Sequence, residues 1–282
     1  MPNVLITGCS SGIGLATVVE LASHRWSVFA SMRNPAKSPA LEKALEDAGV
    51  RTQVKIIRMD VTDPASIQAG VGEIRALTGD DLSAVVHNAG IAVGGAFEDL
   101  ADQDVRAVME TNFFGVLELT RALLPVFRVQ RRGRVVLISS DSAFAGEPGN
   151  AIYCASKWAL EGWAESISYE LAFFGIEVVL VEPGPCRTQI WENSPRRAPP
   201  ASAYVPWLQR LYRAADEHVA RSARDPKEVA YAVRRALESK RPSFRYPVGP
   251  LSRIGHFAKG KVPSILLRQG VTRYLGLHRI HH

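Results

Sequence analysis

Cysteine is scarce: Cys9, Cys154 and Cys186 are the only three in 282 residues, an odd number spread far apart. That excludes a disulfide framework and any Cys-based zinc spacing, and it points to a reducing cytoplasmic setting. Long apolar runs are missing too. The chain starts Met-Pro-Asn-Val-Leu-Ile-Thr-Gly, without the basic stretch and apolar segment of a signal peptide or the ~20 apolar residues of a span. The expectation is a protein neither secreted nor integral to a membrane. Acid is absent from residues 239–282, which hold nine Lys or Arg, so the other 238 residues carry 25 basic against 28 acidic side chains, a net −3 within the overall +6. The basicity is therefore a property of a tail. Apolar residues interleave with those charges, and the tail is expected to pack an apolar stripe on the body. The alternative is a weak contact with an anionic membrane surface. No nucleic-acid partner is expected.

What remains is 46% apolar and 22% charged, the composition of a globular chain. Short β-branched runs at 3–7, 27–32, 54–59, 84–87, 134–139, 177–182 and 244–248 alternate with amphipathic stretches at 15–23, 39–48, 64–77, 102–131, 152–174 and 226–238. That alternation is the pattern of βαβ units and predicts an α/β fold: a single-domain, doubly wound parallel sheet of about seven strands with helices on both faces. Residues 1–250 form the expected catalytic domain, and 251–282 a basic amphipathic extension. The two long helical stretches, 102–131 and 152–174, are candidates for a homodimer or homotetramer interface. Residues 186–224, rich in Pro, Arg and Trp, show no clear period and are expected to form a lid over a pocket.

Directly after the first strand comes Thr7-Gly8-Cys9-Ser10-Ser11-Gly12-Ile13-Gly14, opening a helix. Glycines permit the tight turn and let the backbone approach a pyrophosphate, whose charge sits on the free N–H groups of the helix start. A dinucleotide is the expected ligand. Enzymes that select NAD place an acid at the end of the second strand; here Met32 stands there with Arg33 beside it. A guanidinium suits a 2′-phosphate, so NADP(H) is expected over NAD(H), with Ser11 as a second phosphate donor.

Tyr153 and Lys157 lie four apart at the start of a helical stretch and so share a face. A phenol titrates near 10; one ammonium ~4 Å away, at an effective dielectric near 20, is worth ~4 kcal/mol, enough to lower it by ~3 pH units. Ser140 stands at the end of strand 134–139, where open α/β sheets place ligands. Its hydroxyl is a candidate to hold a carbonyl oxygen.

With the glycine turn, Asp60-Val61, Asn88-Ala89-Gly90, Asn112, Ser140, Tyr153-x-x-x-Lys157, and Pro183-Gly184 with Thr188 occurring in this order over roughly residues 3–190, the chain resembles the short-chain dehydrogenase/reductase superfamily. Its motifs are similar to those of 17-beta-hydroxysteroid and retinol dehydrogenase-like members. The resemblance implies an NADP(H)-dependent oxidoreductase in which Tyr153 is the acid or base, Lys157 lowers its pKa and meets the nicotinamide ribose, and Ser140 orients the substrate oxygen. Asn112 is implied to hold a water leading from Lys157 to solvent. Cofactor contacts are implied for Gly8, Ser10, Ser11, Gly12, Ile13, Gly14, Asp60, Val61, Asn88, Ala89, Gly90, Pro183 and Thr188, and no metal is implied. His87, where the family usually has Asn, is expected to be structural. Trp191, Tyr204, Trp207, Leu208, Leu211 and Tyr212 are expected to form an apolar cover with few charges inside, suiting a small apolar carbonyl or alcohol such as a steroid, a retinoid or a long-chain ketone or aldehyde. Two other readings remain: a nucleotide-sensing binding protein without turnover, and a peripheral membrane binder acting through its tail.

Overall fold

A computed structural model describes residues 1–188, 190, 194–258 and 262–274. Seven of its strands form one parallel sheet: β1 (Asn3–Thr7), β2 (Ser27–Met32), β3 (Val54–Arg58), β4 (Ala84–His87), β6 (Gly133–Ile138), β7 (Ile176–Pro183) and β9 (Arg245–Val248), in the order β3-β2-β1-β4-β6-β7-β9. This is the doubly wound arrangement. The strand order reverses between β1 and β4, and ligands of such sheets bind at that crevice, beyond the carboxyl ends of the strands.

Side-chain alternation along each strand decides what the helices cover. Val4 and Ile6 of β1 point into a core shared with α1 (Gly12–Ser23), α2 (Pro39–Asp47) and α8 (Pro226–Glu238). Leu5 points the other way. On that side Leu5, Val85, Val135 and Leu137 pack against α3 (Pro64–Thr78), α5 (Gly115–Gln130) and α6 (Ala151–Ala172). The starts of α3 and α8 follow the same local rule: Asp63 and Asp225 accept from the N–H two residues on, each with a proline at the first helical position.

Two expectations differ from what is found. The stretch 102–131 is not one regular helix, because α4 (Asp102–Met109) passes through a π-turn, Glu110–Phe114, into α5. The π-turn brings the chain so close to the β3–α3 connection that a Cβ on Gly115 would lie 2.4 Å from the Val61 carbonyl oxygen. The segment 186–224 is largely regular: α7 (Val205–Ser222) fills half of it. Its apolar positions 208, 211, 212, 215 and 219 do carry a helical period, but only Leu208 and Leu211 are fully buried. Before it, β8 (Arg196–Arg197) pairs in parallel with β5 (Gly94–Gly95). In the tail, α9 (Pro250–Ala258) packs on the body, where a Cβ on Gly255 would meet the Phe144 ring at 2.7 Å. On α10 (Ser264–Tyr274), Ile265 and Leu266 are exposed. Among the described residues no helix is long and apolar enough to cross a membrane. Trp191 falls outside the described residues.

Candidate active site

The turn after β1 has room for glycine alone at its key positions. Gly8 and Gly12 have φ of +71° and +58°, and a Cβ on Gly14 would sit 2.2 Å from the Gly8 carbonyl oxygen. Asn88 locks this shape: its Nδ2 donates to the carbonyls of Thr7 (2.8 Å) and Gly8 (3.0 Å). The buried Thr7 hydroxyl accepts from the backbone N–H of both Asn88 and Ala89 at 3.0 Å. Asn88 and Ala89 thus buttress the turn from the β4 side. Ser11, extended, opens α1 without a side-chain cap, and no acid stands in the first turn, so the N–H groups around Ser10–Gly14 are available to an anion. Ile13 is anchored by packing on the core beneath. The residues present fit a dinucleotide.

Around this turn the other expected contacts are assembled from distant segments. Thr188 lies over Gly12, its Cβ 3.2 Å from where a glycine-to-alanine Cβ would stand. Pro183 ends β7, and Gly184 donates to the Val248 carbonyl at 3.1 Å. At the end of β2, Met32 is buried and Arg33 exposed, while the Ser31 hydroxyl is buried with no hydrogen-bond partner. The Asp60 carboxylate turns to its own loop, accepting from the N–H and hydroxyl of Thr62 at 3.0 and 2.8 Å. Val61 is pressed against Gly115, and Gly90 faces Asn112.

Ser140 leaves β6, and Tyr153 and Lys157 stand one turn apart on α6. The Tyr153 hydroxyl hydrogen-bonds Ser140. Lys157 Nζ donates to the Ile138 carbonyl at 2.8 Å and stands 5.7 Å from the centre of the Tyr153 ring. Asn112, in the π-turn, gives both amide protons away, to the Ile91 carbonyl (2.9 Å) and Ser156 Oγ (3.0 Å), and accepts from the Ile91 N–H (2.9 Å). Its side chain braces the β4–α4 connection against α6.

One expectation is corrected. The Tyr153 pKa is not lowered overall: burial pushes the phenol above its ordinary value, outweighing the Ser140 hydrogen bond, and the Glu147 and Asp141 carboxylates push the same way. Burial also brings Lys157 down to about 8, opposed by the negative charge of Glu161 one turn further along α6. Glu161 accepts from Ser139 Oγ (2.8 Å) and from Arg245 (2.7 Å), and Arg245 also pairs with the buried Glu182. Sequence reasoning missed this group and also missed Asp141 and Glu147. The surroundings were expected to hold few charges, yet two carboxyls stand beside Ser140: Ser140 Oγ donates to Asp141 at 3.1 Å, and Ser142 Oγ donates to Glu147 at 2.9 Å. Burial, followed by the Glu147 charge, pushes Asp141 up to about 7, and burial raises Glu147 as well. The available signal was two acids within the twelve residues between Ser140 and Tyr153. His87 is structural: burial brings its pKa down to about 3, and Nε2 meets Thr120 Oγ1 at 2.9 Å.

The cover is partly as expected. Leu208 and Leu211 of α7 form a small core with Ala96, joined by Trp207 and Tyr212, and the Tyr204 hydroxyl turns aside to Glu98 at 3.0 Å.

A family model described as short chain dehydrogenase matches residues 2–198. The chain is 33% identical over 264 residues to a 3-ketodihydrosphingosine reductase of Bacteroides thetaiotaomicron, covering 92% of this chain and 91% of that protein. It is 34% identical to retinol dehydrogenase 8 of Bos taurus over 256 residues, 86% of this chain and 80% of the relative. A solved short-chain dehydrogenase from Streptomyces avermitilis superposes with a TM-score of 0.77 at 30% identity, covering 100% of this chain and 98% of that one.

Proposed function

The chain belongs to the short-chain dehydrogenase family, and from that premise we propose that it interconverts a carbonyl and an alcohol on a largely apolar substrate with NADP(H) as hydride carrier. The observation that carries this reading is the Tyr153 hydroxyl bonded to Ser140, with Lys157 one turn beyond and the glycine turn at the same end of the sheet. When bound, the nicotinamide supplies the hydride in reduction or takes it in oxidation.

The protein's part is to hold the substrate oxygen and move a proton. Ser140 orients the oxygen, and Tyr153 gives it a proton in reduction or takes one in oxidation. With its pKa raised, the phenol keeps its proton until the oxygen arrives, the state from which reduction starts. Lys157, tied to the Ile138 carbonyl, keeps an ammonium beside that phenol. The turn Gly8, Ser10, Ser11, Gly12, Ile13, Gly14 holds the pyrophosphate. Arg33, exposed past β2, reads the 2′-phosphate. Residues 186–224 serve as lid, with α7 its apolar face. Copies associate through the long helices, whose exposed Phe114, Trp158, Tyr169 and Phe173 support that reading.

The test is Tyr153→Phe, assayed by absorbance of the reduced cofactor with a panel of apolar ketones and aldehydes. Turnover is expected to fall about 10²- to 10⁴-fold while cofactor affinity holds. A variant keeping more than about a tenth of wild-type turnover refutes the acid–base role.

A further inference from the structure

Ser140 is presented to the site by one short turn. The chain leaves β6 and folds at once into the helical turn Asp141–Ala143, with Ser140, extended, as its N-cap. Ser140 Oγ accepts from the Ser142 N–H at 3.2 Å and lies 3.1 Å from Ser142 Oγ. One lone pair of this hydroxyl is thereby committed to the Ser142 N–H, which fixes the directions left to its proton and its other lone pair. Where Ser140 Oγ stands therefore depends on where residue 142 is held.

Two side chains from beyond the turn hold it. Ser142 is buried, and its carbonyl oxygen accepts from the Trp158 indole Nε1 at 2.9 Å, across sixteen residues of sequence. That bond ties residue 142 directly to α6, the helix that carries Tyr153 and Lys157. On the other side the Phe144 N–H donates to the Asp141 carbonyl at 2.9 Å, and the buried Phe144 ring meets His256 of α9 edge-on, with ring centres 6.2 Å apart. The turn is thus clasped between a core helix and the tail helix.

Trp158 is more than a surface contact requires. It follows Lys157 on α6, is 49% exposed, and shares a helical face with the exposed Tyr169 and Phe173. A phenylalanine would serve that face equally, as Phe173 does. What an indole adds is a single N–H donor, and here it is directed inward, to a carbonyl two residues from Ser140.

Resting on the reading that Ser140 orients the substrate oxygen, we infer that Trp158 is a positioning residue for the reaction. Its indole N–H fixes the Ser142 main chain and, through it, the Ser140 hydroxyl, so that Ser140 and Tyr153 address one oxygen together. Trp158 acts through Ser142 and not on the substrate. Such bracing matters because the rate depends steeply on placement: a reacting group displaced by about 1 Å costs up to about 10²-fold.

The experiment is a double-mutant cycle of Trp158→Phe and Ser140→Ala, read by absorbance of NADPH with the best ketone or aldehyde of the panel, with NADPH affinity measured by calorimetric titration. Phenylalanine keeps a ring and removes the donor, and retained NADPH affinity shows that the variant is folded. Trp158→Phe alone is expected to lower kcat roughly 3- to 10-fold, the worth of one hydrogen bond, with NADPH affinity unchanged. Ser140→Ala is expected to lose about 10²- to 10³-fold, a residual rate still readable at high enzyme concentration. In that background Trp158→Phe is expected to change turnover by less than about twofold, because the hydroxyl it positions is gone. A Trp158→Phe enzyme within about twofold of wild type overturns the inference. An equal loss in both backgrounds overturns it too, as does a loss matched by weaker NADPH binding, since both are what a loosened α6 produces. In each of these cases Ser140→Ala still loses activity and the reductase reading stands. A Ser140→Ala enzyme as active as wild type overturns the role of Ser140 in that reading and this inference with it. No turnover of any panel member by the wild type with either cofactor overturns the reductase reading itself, and this inference falls with it.

Discussion

Replacing Glu161 by glutamine is the sharpest probe of how the site holds its charge. Lys157 is buried and brought down to about 8, and Glu161, itself buried one turn further on α6, is the charge that opposes the fall. Two unit charges about 6 Å apart at an effective dielectric near 20 interact by about 3 kcal/mol, or about two pH units at 1.36 kcal/mol each. The substitution also deprives Arg245 of one of its buried carboxylates while Glu182 remains, which adds positive field of the same sign. Loss of the Lys157 proton therefore moves from about 8 in the wild type to about 6 in Glu161→Gln. If the ammonium beside Tyr153 is required for turnover, kcat/KM at pH 7.5 falls roughly 25-fold and the two proteins converge near pH 5.5, by the same arithmetic. The measurement is kcat/KM from pH 5 to 10 together with cofactor affinity at each pH. A loss of equal size at every pH is what mere disturbance of the buried pair produces, and it refutes the reasoning.

Asp141→Asn tests the cost of the acidic wall. Asp141 is raised to about 7, by burial first and by Glu147 second. The folded chain therefore keeps this proton to higher pH than the unfolded chain, and the stabilisation, full below about 4, is lost as pH rises to 7, by up to about 4 kcal/mol. Urea unfolding at pH 5 and pH 7.5 should show the wild type losing more stability over that interval than Asp141→Asn; equal losses count against an uncompensated carboxyl. Arg33→Ala is expected to weaken NADPH at least about tenfold in calorimetric titration and NADH by less than about threefold. Equal weakening means Arg33 does not read the 2′-phosphate.

Strand positions were legible because the central strands β1, β2, β4 and β7 are short apolar runs buried on both faces, while the edge strand β3 still carries Val54, Ile56 and Ile57. The reactive residues were legible for a related reason: Ser140, Tyr153 and Lys157 are placed by the end of one strand and one face of the next helix, both of which follow from local spacing. Asp60 shows the limit. Its position after β3 was readable, but that Thr62 takes up one of its oxygens depends on a two-residue loop geometry that spacing does not encode. The π-turn at Asn112 was hidden because a widened turn keeps the helical period on either side of it. Helix α7 was obscured by the prolines and arginines before it, and its two buried leucines are a thin stripe for eighteen residues.

What the charge pattern along the chain could not disclose is how charges pair across it. Arg245, in the last strand, reaches Glu161 on α6 and Glu182 on β7, contacts 84 and 63 residues away in sequence. With that network on one side of Lys157 and Asp141 and Glu147 beyond Tyr153, the reactive pair stands between acids answered by an arginine and acids answered by hydroxyls and an amide. The Arg245 cluster acts on the site through Glu161, whose charge opposes the fall of the Lys157 pKa. The two carboxyls add to what burial already does in raising the phenol, so removing either charge is expected to ease the ionisation of Tyr153.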